Sequence, residues 1–594
     1  MLSRAWVGVL LLWSVAFAQA VEGELKVLRY AFPIAETGFD PAKISDEYSR
    51  TITSHIFESP YCYDPLARPM KLKALTAEAM PQVDAEFKTF TIKIRPGIYF
   101  AADPAFKGRK RELTAQDYVY SLERLSDPAL NAPAWSFLED QGILGLGERR
   151  QAALKGKKPF DYDSPIEGLR ALDRYTLRIR VAESRPRLPQ IILSGSDLYG
   201  AVAREVVEAY GDDVMAHPVG TGPFRLAAWR RNSLIVLERN TAYRERYYDA
   251  EPAPGDAEGL AIAARLKGRR IPMIDRVEVS IIEESQPRWL AFLNGQQDLL
   301  YRVPPEFVNI AMPHGKVAPN LGKRGIQLFR SPSSDMGYTY FSMDDPTIGG
   351  MTADKVALRR AFSLAWDDER EIRLLRRGQA IPAQSGIPPD TSGYDAAYKS
   401  EMSDFDPARA NALLDIYGYK DRDGDGWREM PDGSPLLLTW STQPDSLSRS
   451  YDEMFRINME RIHVRTAFAP AEWPENLKAA EAGKLMMWYV ASTADNPDGQ
   501  YSLQLLYGPA VHTQNYGNFQ HPRYDEIYRR LQGLPDGAER EALFREAKRI
   551  QAAFMPMKVH VHRIGSDMAW PWVIGYRRPL FANEFWQYVD ILRH

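Results

Sequence analysis

The stretch of sequence that most limits how this chain can fold is a turn rich in glycine and proline. Gly220, Gly222 and Pro223 lie within four consecutive positions. Glycine permits a positive φ or the close approach of another backbone, and proline fixes φ. Residues 234–237 are aliphatic or β-branched, and Asn240 bounds them. The pattern therefore predicts a rigid turn from which a buried strand leaves.

Length and composition limit the class of protein. The chain has 594 residues, of which 45% are hydrophobic and 26% are charged, so it can bury a large core. At ~150 residues per unit, this length predicts about three to four domain-sized units. The 75 basic and 78 acidic residues give a net charge of −3. This balance gives no sign of a nucleic-acid partner, and none is expected.

Residues 1–20 have the pattern of a cleavable signal peptide. An apolar run covers residues 5–18, and Ala18 and Ala20 are small residues at the positions that a signal peptidase reads. The residue directly after the predicted cleavage at Ala20 is Val21 and not a cysteine, so the exported chain is not expected to be a lipoprotein. Cys62 is the only cysteine, which excludes an intrachain disulfide.

Further strands and helix starts are predicted from the alternation of apolar and polar residues and from helix-capping patterns. Alternating apolar and polar residues predict strands over residues 90–94 and 175–181. Thr114, followed three positions later by Asp117, predicts the capped start of a helix. Asp406, followed directly by a proline, predicts another helix start.

Five stretches of this sequence agree with one known family. The first is the Val-Gly-Thr-Gly-Pro-Phe turn at residues 219–224, with the strand and the Asn-x-x-Tyr that follow it. The second and third are the strand Thr-Phe-Thr-Ile-Lys-Ile-Arg-Pro-Gly at 89–97 and the helix that begins Leu-Thr-Ala-Gln-Asp-Tyr at 113–118. The others are the helix over residues 355–373 and the opening order of a strand, Phe-Asp-Pro at 39–41 and Tyr-Asp-Pro at 63–65. The chain resembles the ABC-transporter extracellular solute-binding proteins of family 5, the oligopeptide- and dipeptide-binding type.

The resemblance implies an α/β fold of the two-lobed periplasmic-binding-protein (Venus flytrap) type, in the class with an extra third subdomain. After the signal peptide at 1–20, lobe I would comprise residues 21–59, 204–303 and 546–594, its extra subdomain residues 60–203, and lobe II residues 304–545.

The same resemblance implies a function in import. The protein would be a periplasmic, monomeric binding component without enzymatic activity that captures oligopeptides or dipeptides between its lobes and delivers them to an inner-membrane ABC permease. Two alternatives stay open: the same scaffold with a non-peptide ligand such as haem, an opine or a metal chelate, and a secreted hydrolase. The sequence has no Gly-x-Ser-x-Gly, His-Glu-x-x-His or phosphate-loop pattern that would favour hydrolase or nucleotide chemistry.

The resemblance also implies ligand-binding residues. Asp495 would pair with the α-ammonium group of a peptide, because a carboxylate in a water-poor cleft attracts a cation more strongly than one in bulk water. Other expected contacts are Trp488, Tyr489, Asn496 and Tyr501 in the same segment and Glu47 and Tyr48 near the N-terminal end. Asp498, by contrast, is better explained as a residue that caps a turn.

Residues 421–432 have the spacing of an EF-hand calcium loop. The acidic positions are Asp421, Asp423 and Asp425, followed by Glu429 and, at the twelfth place, Asp432, with Gly426 sixth for the sharp turn. Asp432 is shorter than the bidentate Glu that usually ends such a loop. The segment is therefore expected either to hold a structural Ca²⁺ or to be a hairpin connector built from Asx turns, and no other cofactor is required.

Overall fold

A computed structural model describes residues 25–494 and 496–592 of the chain. The predicted signal peptide at residues 1–20 and the predicted ligand residue Asp495 lie outside this part. The described residues form one eight-stranded sheet, two four-stranded sheets and three two-stranded pairs. None of their helices is both long and apolar enough to cross a membrane.

The first four-stranded sheet is the centre of lobe I. In spatial order its strands are Val27–Phe32, Arg276–Ile281, Leu234–Arg239 and Phe224–Arg230, the first pair parallel and the others antiparallel. Leu237, Val277 and Val279 are fully buried on this sheet. The helices of this lobe are Glu47–Ile56, Ala257–Leu266, Ser285–Leu293, Val308–Ala311 and Pro319–Gly322.

The turn around Gly220 lies against the end of the helix Glu47–Ile56. A Cβ atom on Gly220 would lie 2.0 Å from the carbonyl oxygen of Ile56, and one on Gly222 would lie 2.6 Å from the same oxygen. Gly222 also donates its amide to that oxygen at 2.8 Å. The two glycines are therefore required for a close backbone approach, and the strand Leu234–Arg239 confirms the strand predicted after the turn.

The second four-stranded sheet belongs to the extra subdomain. Its antiparallel strands, in spatial order, are Gln82–Val83, Thr89–Lys93, Thr176–Arg180 and Leu169–Asp173, which confirms both predicted strands. The predicted capped helix is also confirmed, since the Thr114 amide donates to the Asp117 carboxylate at 2.7 Å. The subdomain helices are Ala115–Ser126, Trp135–Asp140, Leu146–Gly156, Leu188–Ile192 and Ser196–Tyr199. The helix Arg204–Tyr210, just beyond the predicted boundary at residue 203, packs on the same core.

The eight-stranded sheet extends from lobe I into lobe II, where helices cover both of its faces. Its main path is Leu299–Leu300, Met557–Ala569, Asp335–Phe341, Met487–Thr493, Leu437–Thr442 and Arg465–Pro470, with Gln327–Pro332 and Ala380–Pro382 also paired to Met557–Ala569. One face is covered by Ala353–Ala365, Pro407–Ile416 and Ser446–Glu460, and the other by Trp473–Glu481, Pro522–Gly533 and Ala538–Phe554. The helix Pro407–Ile416 confirms the start predicted at Asp406, whose carboxylate accepts from the Arg409 amide at 2.9 Å.

The long strand Met557–Ala569 connects the two lobes. Its first half pairs with Asp335–Phe341 and its second half with Gln327–Pro332. Because one strand is shared between the lobes, bending about its middle would move one lobe against the other.

The lobe boundaries at residues 304 and 545 stay predictions, and the packing around each of them is as follows. Val308 and Ala311 pack with Trp289 of lobe I, so residues just beyond 304 still belong to that core. The position 545 falls inside the helix Ala538–Phe554, which packs in the core of lobe II. The chain passes between the lobes along extended strands. Such strands contain no turn residues that would mark a domain boundary in the sequence.

Candidate ligand cleft

The strand Met487–Thr493 ends opposite Asp335, at the start of the strand that separates it from the shared strand. This strand runs parallel to Leu437–Thr442, and after its last residue the Ala494 amide donates to the Ser334 carbonyl at 2.8 Å. In α/β sheets, ligands bind outside the carboxyl ends of parallel strands. The loop that follows Thr493 therefore lies at the candidate ligand-binding edge, next to the crossing between the lobes.

The loop from Asn496 to Gln500 is held by its own side chains. The Asn496 side-chain oxygen accepts from the Asp498 amide at 2.9 Å, and the Asp498 carboxylate accepts from the Gln500 amide at 3.1 Å. Asp498 also accepts from the Ser392 hydroxyl at 2.7 Å. These contacts confirm Asp498 as a turn residue and leave Asn496 buried, while Asp495 lies outside the described residues.

The Asp498 carboxylate is also the centre of an ion-pair network between two parts of the fold. Arg540 of lobe II donates to both carboxylate oxygens, at 2.7 and 2.8 Å. Arg187 of the extra subdomain places its Nε 2.7 Å from the same carboxylate. The subdomain donates a further hydrogen bond to lobe II, from the Arg187 guanidinium to the Leu534 carbonyl at 3.0 Å. Asp498 thus ties the predicted ligand loop to the extra subdomain.

Tyr501 lies at the same junction. Its half-buried ring packs against the core of the extra subdomain, and a small cavity beside it is lined by Asp140, Gln141, Arg187 and Asp498. Burial, and then the carboxylates of Asp140 and Asp498, raise the pKa of the Tyr501 phenol well above its usual value. Tyr501 is therefore a neutral hydrogen-bonding group placed where lobe II meets the subdomain.

Glu47 and Tyr48 lie on the lobe I side, at the start of the helix Glu47–Ile56. The Glu47 carboxylate accepts from the Tyr301 hydroxyl at 3.3 Å and from the Arg302 guanidinium at 3.0 Å. The Tyr48 ring lies 5.0 Å from the Phe32 ring, and burial followed by the Glu47 charge raises the pKa of Tyr48. Both side chains are only partly buried, so both remain available for contact.

A second polar cluster, at the crossing between the lobes, was not predicted from the sequence. Asp567, on the shared strand, accepts from the Arg302 amide at 2.7 Å and from the Tyr576 hydroxyl at 2.8 Å, and it pairs with Arg578. The Arg578 guanidinium lies 4.7 Å from the centre of the Tyr301 ring. These residues are far apart in sequence and form no motif, so the sequence holds no signal for their meeting.

The sequence and the fold of the chain are similar to those of known proteins. Residues 71–514 match the sequence model of the bacterial extracellular solute-binding proteins, family 5. The chain belongs to this family.

Several relatives of this family 5 protein extend over nearly its whole length. A di/tripeptide-binding protein of Pseudomonas aeruginosa is 25% identical, with 97% of each chain covered. A heme-binding protein A of Haemophilus influenzae is 23% identical and covers 97% of this chain and 94% of its own. The fold is shared with a solved periplasmic murein tripeptide-binding protein in its unliganded open form, at a TM-score of 0.71, 19% identity and coverage of 96% and 98%.

Two of the predicted ligand residues of this family 5 protein lie inside lobe II. Trp488 is 1% exposed and packs in the core beneath the helices Pro522–Gly533 and Ala538–Phe554. Tyr489 packs against the core on the opposite face, where its hydroxyl donates to Glu371 at 3.0 Å. Trp488 therefore has almost no exposed surface in this arrangement of the lobes, whereas Tyr489 is only partly buried, and the ligand contacts of both residues stay predictions.

The buried His560 of this family 5 protein lies beside two carboxylates. Its Nδ1 atom is 3.5 Å from Asp368 and 3.9 Å from Glu371, and the three groups are close enough to share an ion. The Lys558 ammonium, however, already lies 2.7 Å from Asp368. Burial lowers the pKa of His560 to about 3, so its imidazole is neutral. We interpret the cluster as a charge-balanced part of the core.

The predicted calcium residues of this family 5 protein are only partly brought together. Ligand atoms of Asp421, Asp423 and Asp425 lie within 4.8 Å of one another and of Glu429. Asp432 is not in this group, because its carboxylate accepts from the amide and the hydroxyl of Ser434, at 2.9 and 2.7 Å.

Proposed function

We propose that this protein is the peptide-capturing component of an ABC importer. Its family consists of extracellular solute-binding proteins, and curated relatives of full length are named for the dipeptides and tripeptides that they bind. The observation that carries the proposal is the loop after Thr493, which lies at the carboxyl edge of lobe II beside the shared strand and is tied by Asp498 to the facing subdomain.

Capture in this proposal depends on closure of the two lobes. A ligand that contacts both sides favours the closed arrangement by the difference in its affinity for the closed and open states. Glu47 and Tyr48 would contact it from lobe I, and Asp495 and Asn496 from lobe II. The closed form would then dock on an inner-membrane permease, after export of the mature protein to the periplasm.

Asp495 carries the expected contact with the peptide α-ammonium. It lies between Ala494, which is hydrogen-bonded to the crossing segment, and the buried Asn496. A charge-assisted hydrogen bond in a closed cleft is roughly twice as strong as a neutral one. The Asp495→Asn variant should therefore lose affinity for free peptides and lose little for peptides whose α-amine is acetylated.

Native mass spectrometry of the protein purified from its own cell envelope tests the proposal. We expect short peptides bound at one per chain, released on denaturation and of unchanged mass after prolonged incubation. Shortened peptides would favour hydrolysis instead, and a protein that carries no peptide and binds none from a dipeptide and tripeptide panel would contradict the proposal.

A haem ligand is the second candidate, and the heme-binding relative is the specific observation that favours it. Titration with hemin, followed by the Soret band, separates the two ligands. Saturable hemin binding at one per chain that peptides fail to displace would replace the peptide proposal. Hemin binding that the Asp495→Asn variant shares with the unaltered protein would show that this residue serves peptides alone.

A further inference from the structure

A hairpin on the outer part of lobe II carries five carboxylates, four of which lie together at its tip. It connects the helix Pro407–Ile416 to the strand Leu437–Thr442. The Glu429 amide donates to the Lys420 carbonyl at 3.1 Å, and the Arg428 guanidinium donates to the Ile462 carbonyl at 3.0 Å. The base of the hairpin is thus fixed to the core, and its acidic tip is presented in a defined conformation.

The tip gathers oxygen atoms around one point. Carboxylate oxygens of Asp421, Asp423, Asp425 and Glu429 lie within 4.8 Å of one another. Gly424 and Gly426 have φ values of +80° and +92°, which turn the chain sharply at the sixth position, as calcium loops require. An acidic cluster of this kind is common without an ion, so geometry alone does not assign one.

Glu429 supplies the independent observation. Its side chain is only 7% exposed, and one oxygen accepts from the Arg422 amide at 2.7 Å. The other oxygen, Oε1, is buried and has no hydrogen-bond partner among residues 25–494 and 496–592. A buried carboxylate oxygen without a partner is costly unless a cation or a hydrogen bond satisfies it. The side chain is held at the acidic cluster, where a bound cation would satisfy it.

We propose that this hairpin binds one Ca²⁺ through Asp421, Asp423, Asp425 and Glu429. An all-oxygen ligand set rich in carboxylates suits Ca²⁺, which tolerates irregular geometry better than Mg²⁺ does. Glu429 is the ninth residue of the loop and replaces the residue at the twelfth position that ends an EF-hand. The structure therefore changes the ligand set suggested by the sequence, from Asp432 to Glu429.

The expected affinity is modest. The set lacks a bidentate twelfth ligand, and Arg465 pairs with Asp425 and must release it when the ion binds. Calcium modules of extracellular proteins bind with dissociation constants of about 0.1–1 mM, and we expect this site near that range.

Terbium luminescence tests the site directly, because Trp427 lies inside the loop and can transfer energy to a bound Tb³⁺. We expect Tb³⁺ emission on excitation of tryptophan, displacement of the emission by Ca²⁺, and binding at one ion per chain by calorimetry. The Trp427→Phe variant should lose most of the emission and keep its Ca²⁺ affinity.

Two further variants decide which carboxylate is the ligand. Glu429→Gln should weaken Ca²⁺ binding by about tenfold or more, a loss on the scale that metal sites show when a supporting group is removed. Asp432→Asn is the matched control, and its Ca²⁺ affinity should be unchanged. Should Glu429→Gln fail to fold by circular dichroism, the exposed Asp423→Asn variant replaces it with the same expectation.

The opposite results would overturn the proposal. Calorimetry that detects no Ca²⁺ binding at millimolar concentrations would refute the site. Equal losses in Asp432→Asn and Glu429→Gln would refute the ligand set. Peptide capture does not enter any of these measurements, so their outcome is independent of the proposed function.

Discussion

The carboxyl group of Glu584 is buried in lobe I, where its surroundings do not fully stabilise a negative charge. Its side chain is buried, and burial, with a contribution from Asp197, raises its pKa to about 7 against the opposing effect of Arg246. The folded state therefore holds a proton on Glu584 at pH values where the unfolded chain, with a pKa of 4.5, has lost it. Stability from this group falls as pH rises from about 4.5 to about 7, because the unfolded state binds fewer protons in that window.

The Glu584→Gln variant tests this prediction. The amide keeps the shape of the protonated acid and does not titrate. The difference in melting temperature between the variant and the unaltered protein should increase from pH 5 to pH 8 in favour of the variant. The increase should be equivalent to roughly 1–3 kcal/mol in the free energy of unfolding. A difference between the two proteins that stays constant over this pH range would mean that the Glu584 carboxyl does not titrate as expected.

At the scale of elements, the turn at Gly220 is fixed by the backbone of Ile56 and Phe57 at the end of a neighbouring helix. A Cβ atom at position 220 would lie 2.0 Å from the Ile56 carbonyl oxygen, and backbone on both sides prevents an easy shift. Overpacking of this kind destabilises by about 1–3 kcal/mol. Gly220→Ala should therefore lower the midpoint of urea unfolding.

Gly147→Ala is the matched control for this turn. Gly147 lies in the helix Leu146–Gly156, and a Cβ atom there would meet nothing within 4 Å. Alanine is the better helix former by about 1 kcal/mol, so this variant should be neutral or slightly more stable. If the two variants unfolded at the same urea concentration, the close approach to Ile56 would not be what requires glycine.

Individual helices and strands were the features that the sequence predicted best. Alternation and capping found the strand Thr89–Lys93 and the helices that begin after Thr114 and Asp406, because these signals are local. Trp488 and Tyr489 were expected at the ligand because they share a segment with Asp495. Sequence proximity could not reveal that their side chains pack against two different cores on opposite faces of the sheet. The partners of Asp498, which are Arg187 and Arg540, were missed because they meet only in the folded chain.

Two of the connections between the parts of the molecule differ in kind. The strand Met557–Ala569 is shared by both lobes, and Asp498 joins lobe II to the extra subdomain some distance from that strand. The first connection is covalent and persists in every state. The second is made by side chains and can open. A hinge with one permanent and one breakable contact allows the movement that ligand capture requires.

The Arg187→Leu variant should shift the molecule toward its open state. Asp498 would keep its two hydrogen bonds from the buried Arg540, so the loop should stay folded while the bond to the subdomain is lost. The radius of gyration from X-ray scattering should then increase for the ligand-free protein. The apparent ligand affinity should fall in proportion to the fraction of molecules that stays in the closed state, because binding must first restore that state.

Arg185→Leu is the control for this change. Arg185 lies two positions away, and its guanidinium contacts Glu183 and the carbonyls of Asp140 and Ser184 within the subdomain. This variant should leave the radius of gyration and the ligand affinity unchanged. If Arg187→Leu behaved like Arg185→Leu in both measurements, the contact with Asp498 would hold the loop without controlling closure. Closure would then depend on the shared strand and the ligand alone.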